Sequence, residues 1–212
     1  MKVKPWEVFK QVAGAQYATV GLDLDYSVQI VDGHAVLYFQ QSVQNADWWH
    51  NFDFALSVYK NQENHMLIHH GYAKVWKSAN DQIMAEFIEA VHKADKKPLI
   101  AGWSFGGAMA QLAAEDFHYR TGIRASVLTF GAPKIAGDKK TAEHIRCSGD
   151  FLQFAEHNDI TSYMPPLPWY HHINLVKIGR SFNLFELFKP HIYHMEYDKE
   201  ELYGGLIYDA SF

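Results

Sequence analysis

The chain has 212 residues, 48% of them hydrophobic and 20% charged, which is enough for one sizeable core and excludes a disordered segment. A net charge of −5 gives no reason to expect a nucleic-acid partner. The single cysteine, Cys147, excludes an intramolecular disulfide and suits a reducing compartment.

Residues 6–14 are predicted to form a short helix. Strand-like runs follow at 27–31 and 35–40. Asp32-Gly33 between them signals a hairpin, because glycine tolerates the positive φ of a tight turn. Residues 41–54 read as irregular and aromatic, with Trp48, Trp49, Phe52 and Phe54. A long helix is expected after Gly71, since Trp76, Ala79, Ile83, Phe87 and Val91 recur every three or four residues. Lys96-Lys97-Pro98 closes it and leads into the apolar run Pro98-Leu99-Ile100-Ala101. Gly102-Trp103-Ser104-Phe105-Gly106-Gly107 then opens an alanine-rich helix. Beyond it lie a strand at 125–130 ended by Gly131-Ala132-Pro133, a short helix at 138–147, strands at 151–155 and 173–178, and a terminal helix at 195–206. This alternation argues for an α/β fold: a largely parallel central sheet with an antiparallel start and flanking helices. No repeat or linker divides the chain, so residues 1–212 are expected to form a single domain. The start, Met1-Lys2-Val3-Lys4-Pro5-Trp6-Glu7, has no apolar signal-peptide core, and a cytoplasmic location is the expectation. No run reaches the roughly 18 apolar residues of a membrane span.

Strand, sharp turn and helix with Gly-x-Ser-x-Gly at the turn read as a nucleophile elbow, with Ser104 at its tip. A serine hydroxyl is a poor nucleophile near neutral pH and needs a base, itself oriented by a third group. In this fold class the acid and then the histidine follow the serine. Asp159, just past a predicted strand, is the leading acid, although Asn158-Asp159 is also ordinary turn chemistry. His171, His172, His191 and His194 all lie downstream, and spacing alone does not choose among them. One oxyanion donor is expected to be the backbone N–H of Phe105, and another to come from the loop after Phe39, Gln40-Gln41-Ser42. Despite 13 histidines, no Cys/Asp/Glu set shows metal-ligand spacing, so neither a metal nor a cofactor is expected.

Several blocks together resemble the class 3 lipase family, the fungal-type lipases and their bacterial and phage relatives. In order, they are Phe39-Gln40-Gln41-Ser42, Asp47-Trp48-Trp49, His69-His70-Gly71-Tyr72, the elbow, Thr129-Phe130-Gly131-Ala132-Pro133-Lys134, Asn158-Asp159 with Met164-Pro165-Pro166, Tyr170-His171-His172, and His194-Met195-Glu196-Tyr197. The resemblance implies an α/β-hydrolase that cleaves carboxylic esters through an acyl-enzyme. It implies Ser104 as nucleophile, Asp159 as orienting acid and His194 as general base. His191, one helical turn from His194, stays a rival base. Ser42 and Phe105 would form the oxyanion hole, and Trp103, Trp48 and Trp49 are the candidate substrate-binding side chains. The implied partner is an ester or lipid substrate, with transient contact to a lipid surface.

The chain departs from the family pattern in three places. Trp103 replaces the usual histidine before the nucleophile. Gln40 and Gln41 replace arginine and glycine in the oxyanion loop, where a positive φ at Gln41 would be strained. Asn158 directly precedes Asp159, where the family has Asn-x-x-Asp. The interval containing Trp48 and Trp49 is short, so a small or absent lid is expected. The altered oxyanion loop motivates an alternative, a catalytically inactive lipase-fold binding protein.

Overall fold

The computed structural model describes residues 2–41, 55–61, 64–165, 175–179 and 196–209. The elements begin with strand β1 (Lys2–Val3), helix α1 (Pro5–Gly14) and strands β2 (Ala18–Val20), β3 (Leu24–Val31) and β4 (His34–Phe39). Strands β5 (Leu56–Asn61) and β6 (Asn64–His69) form a separate hairpin before helix α2 (His70–Lys93). Then come β7 (Lys96–Trp103), α3 (Phe105–Thr121), β8 (Ala125–Phe130), α4 (Lys139–Ser148), β9 (Gly149–Glu156), β10 (Leu175–Ile178) and β11 (Tyr208–Asp209).

Seven strands form one sheet in the order β10-β9-β8-β7-β4-β3-β2. The pairs from β4 through β10 are parallel, and β2-β3-β4 is the antiparallel start. Asp32 and Gly33 turn between β3 and β4 with φ of 50° and 82°, the double positive φ that a two-residue hairpin of this twist requires. Strand β1 pairs with β11 and so joins the two ends of the chain.

Both faces of the sheet are buried, as a parallel sheet requires. On one face α2 and α3 pack Trp76, Ile83, Phe87, Leu112 and Phe117 over Leu37 and Ile100. Helix α3 lies so deep that nearly all of its residues from Gly106 to Phe117 are buried. Its two buried acids are therefore fastened laterally. Glu115 accepts from Asn61 Nδ2 (3.0 Å) and lies 2.9 Å from His144 Nε2, while Asp116 pairs with Arg120 at 2.6 Å. On the other face α1 lays Phe9 onto Trp103 and Phe130, with ring centroids 5.1 and 5.3 Å apart.

The terminal helix expected at 195–206 does not form over its described part. After Glu196 the chain makes a turn, then a short 3-10 helix at Glu200–Tyr203 that ends at Gly204 and Gly205, both at positive φ. Tyr197 and Tyr203 are both fully buried, and six residues on an α-helix would set them roughly 120° apart. The 3-10 path instead brings the Tyr203 hydroxyl to the Tyr197 carbonyl, 2.8 Å away. The β5–β6 hairpin, in turn, was not expected from the sequence.

Candidate active site

Strand β7 runs into α3 through a single residue. Ser104 sits there at φ 56° and ψ −123°, a strained conformation for a non-glycine residue. Its N–H donates to Phe130 O (2.8 Å), and its carbonyl accepts from Gly107 N (2.9 Å). The glycines around it follow from close approach. A Cβ on Gly102 would lie 2.2 Å from Gly106 O, and one on Gly106 would lie 2.4 Å from Phe39 O. A Cβ on Gly107 would meet Ala132 Cβ at 2.6 Å. The elbow thus presses against the end of β4 and the loop after β8, and Ser104 remains 9% exposed at their junction.

Phe105 is the first residue of α3, so its amide belongs to the helix's amino-terminal turn, where N–H groups point outward at the positive end of the dipole. Its ring is backed by Tyr72 (5.8 Å), which in turn lies against the buried His69 (4.3 Å). The close approach of Gly106 to the Phe39 and Gln40 carbonyls sets the end of β4 against this helix end. Among the described non-glycine residues, positive φ occurs only at Asp23, Asp32 and Ser104, so the strain expected at Gln41 is absent.

Asp159 follows β9 and is fully buried. Its Oδ1 accepts from Thr161 N (2.9 Å) and its Oδ2 accepts from the Tyr197 hydroxyl (2.7 Å). The Tyr197 oxygen also accepts from Glu156 N (2.9 Å). Burial first, and the Asp159 charge second, hold the Tyr197 phenol well above its usual range, so it stays a donor. Glu156 occupies the position three before Asp159, where the family pattern has asparagine. Its Oε2 accepts from Asn158 N at 2.5 Å and its carbonyl accepts from Asp159 N at 3.1 Å, which closes the turn. Burial, then the charges of Asp159 and Glu196, push the Glu156 carboxyl up against the opposing effect of the Asn158 N–H. The Thr-Phe-Gly-Ala-Pro segment ties this loop to the elbow. Gly131 N donates to Phe154 O (2.9 Å) and Lys134 N to Met164 O (2.8 Å), and Ala132 packs on Gly107.

Trp103 points away from the α2–α3 face. It is 7% exposed, and its ring packs edge-on against Phe9. That geometry makes it part of the support beneath the elbow. Ser42, Trp48, Trp49, His171, His172, His191 and His194 lie outside the described residues. Among the described residues, no group of three or more His, Cys, Asp or Glu side chains is placed to hold a metal ion. Sequence reasoning missed Glu156 and Tyr197. Tyr197 was visible only as the tyrosine of the terminal His-x-x-Tyr block, and Glu156 only as the residue standing in the asparagine's place.

A mostly parallel sheet, helices on both faces and a strained serine between strand and helix define an α/β-hydrolase fold. Solved structures agree. The lipase–propeptide complex of Rhizomucor miehei superposes with a TM-score of 0.71 at 19% identity, covering 78% of this chain and 56% of that one. MDLA of Penicillium cyclopium gives a TM-score of 0.69 at 22% identity, covering 77% of this chain and 63% of that one. The Lipase (class 3) family matches residues 36–169, well over half of the sequence, and the chain belongs to that family. It is 30% identical over 98 residues to the secreted mono- and diacylglycerol lipase A of Penicillium cyclopium, and equally to that of Penicillium camembertii. The match covers 46% of this chain and 32% of those relatives, so the chain matches about a third of their length.

Proposed function

We propose that the protein is a serine carboxylic-ester hydrolase acting on acylglycerol-type esters. The observation that carries the reading is Ser104, held at positive φ between a buried strand and the amino terminus of a buried helix. Ser104 Oγ attacks the ester carbonyl. His194, with His191 as rival, takes the hydroxyl proton and returns it to the leaving alcohol. Asp159 orients that imidazole and stabilises its charged form. The oxyanion is held by the Phe105 N–H and by Ser42, and water then releases the acid from the acyl-enzyme. The acylglycerol class rests on the named activity of the Penicillium relatives. Trp48 and Trp49 are the side chains assigned to substrate, whereas the packing of Trp103 on Phe9 favours a supporting role.

A panel of p-nitrophenyl esters and acylglycerols, run with the wild type and Ser104→Ala, tests the reading. The variant is expected to lose on the order of 10⁴–10⁶-fold in turnover and all labelling by a fluorophosphonate. Wild-type turnover in Ser104→Ala would remove the serine from the chemistry. A wild type that neither turns over nor labels would leave a binding protein on a lipase fold.

A further inference from the structure

The acid loop holds a second carboxyl that the triad does not use. Glu156 ends β9, three residues before Asp159, and is 2% exposed. Asparagine, which carries no charge, stands at that position in the family pattern. We propose that Glu156 acts through the base: once ionised, it joins Asp159 in stabilising the imidazolium and so sets the pH at which the enzyme gains activity. This rests on the assignment of Asp159 as the acid and of His194, or its rival His191, as the base.

The carboxyl is fixed on two sides. Its Oε2 accepts from Asn158 N at 2.5 Å. Its Oε1 lies against Gly179, just past β10, where a Cβ would come within 2.9 Å of it and φ is 84°. The main chain of Glu156 is held as well. Its N–H donates to the Tyr197 oxygen at 2.9 Å, and its carbonyl accepts from Asp159 N at 3.1 Å. Glu156 is thus bound directly to the acid and to the residue three places after His194.

The charges around it are one-sided. Its own loop presents Asp159, and the C-terminal segment presents Glu196 and the neutral Tyr197 phenol. Lys199 is engaged by Glu196 at 2.6 Å, and Lys177 of β10 lies over the Tyr163 ring at 5.5 Å. Among the described residues, no cation forms an ion pair with Glu156. Burial and the two acids therefore delay its ionisation beyond the ordinary carboxylate range and toward the range in which a histidine titrates. A negative charge held there favours a protonated imidazole over a neutral one. It does so both in the free enzyme, where the imidazole must be neutral to act, and in the transition state, where it carries the serine proton.

Glu156→Gln removes the charge and keeps the size and an oxygen for the Asn158 N–H. The acid limb of kcat/KM for a p-nitrophenyl ester should move down by about 0.5–1 pH unit. The plateau should fall roughly two- to fivefold, a smaller change, because proton transfer is only partly complete in the transition state. The two profiles should therefore cross, with the variant the faster enzyme on the acid side. A limb that stays in place, with or without a uniform loss, overturns the proposal, since a merely structural defect lowers the whole profile. The histidine variants separate the two layers. If turnover survives in both His194→Ala and His191→Ala, the base assignment fails and this inference with it. If one of them abolishes turnover while Glu156→Gln leaves the limb in place, only the role of Glu156 fails. Should Glu156→Gln not fold, NMR of the wild type labelled at glutamate carboxyls and histidine rings carries the test. A step in the ring resonances of the base at the pH where Glu156 ionises supports the coupling. No such step, or a Glu156 that stays protonated through the limb, overturns it.

Discussion

The elbow and the acid loop each hold one side chain of the proposed triad, by different physics. The elbow is local: within six consecutive residues, Gly102, Gly106 and Gly107 are small because backbone or Ala132 lies 2.2–2.6 Å from where a Cβ would be. Ser104 has little freedom left once strand and helix are packed. The acid loop is assembled from a distance. Asp159 is held by Tyr197 from far along the chain, and its loop is tied to the Gly131–Lys134 segment by main-chain bonds. Close packing of backbone writes itself into a short motif. A hydrogen bond between remote residues leaves no local mark.

Beyond removal of the nucleophile itself, the largest effect should come from the acid loop without disturbing the fold. Asp159→Asn keeps the shape and one acceptor oxygen but removes the charge that steadies the base. A loss of about 10⁴-fold in kcat is expected, with circular dichroism unchanged, by analogy with the same change in a serine-protease triad. The elbow should respond in the opposite way. Gly106→Ala drives a methyl group against the Phe39 carbonyl, a rigid main-chain atom, and should cost ~2–3 kcal/mol of stability in chemical denaturation. Gly14→Ala is its control. Nothing lies within 4 Å of that Cβ and φ is not positive, so a gain of ~0.4–1 kcal/mol is expected. Equal responses from the two glycines would show that crowding does not define the elbow.

The same contrast explains what the sequence reveals. The Asp32-Gly33 hairpin, α2, the elbow and the strands around it are legible because turn chemistry, helical periodicity and glycine sterics act over a few residues. The β5–β6 hairpin is not, because Leu56 and Val58 on one face of β5 are both exposed and give no apolar-in, polar-out alternation. The path from Glu196 to Gly205 is also hidden. Its residues from Glu196 to Leu202 give no break, and the chain is ended as a short 3-10 turn by Gly204 and Gly205 at positive φ. At the site, Ser104 and Asp159 can be picked out as candidates from sequence. The alternation of β7 turns the ring of Trp103, one of the candidate substrate side chains, toward Phe9.

The smallest effect isolates the electrostatic character of the acid loop. Glu156 is 2% exposed, faces Asp159 and Glu196, and is held above the ordinary carboxylate range chiefly by burial. A group that binds its proton more tightly in the folded state stabilises the fold fully below its unfolded value, near 4.3. That contribution is lost as pH rises through the raised folded value. Glutamine is the neutral isostere and retains an oxygen for the Asn158 N–H. Glu156→Gln should therefore match the wild type in Tm near pH 4. Its Tm should then rise relative to wild type with increasing pH and level off once Glu156 is ionised. Gly106→Ala changes no titrating group, so its deficit should be flat over the same range. A flat profile for Glu156→Gln as well would mean that the charge beside Asp159 carries no penalty, and the acid loop would then be held by geometry alone, as the elbow is.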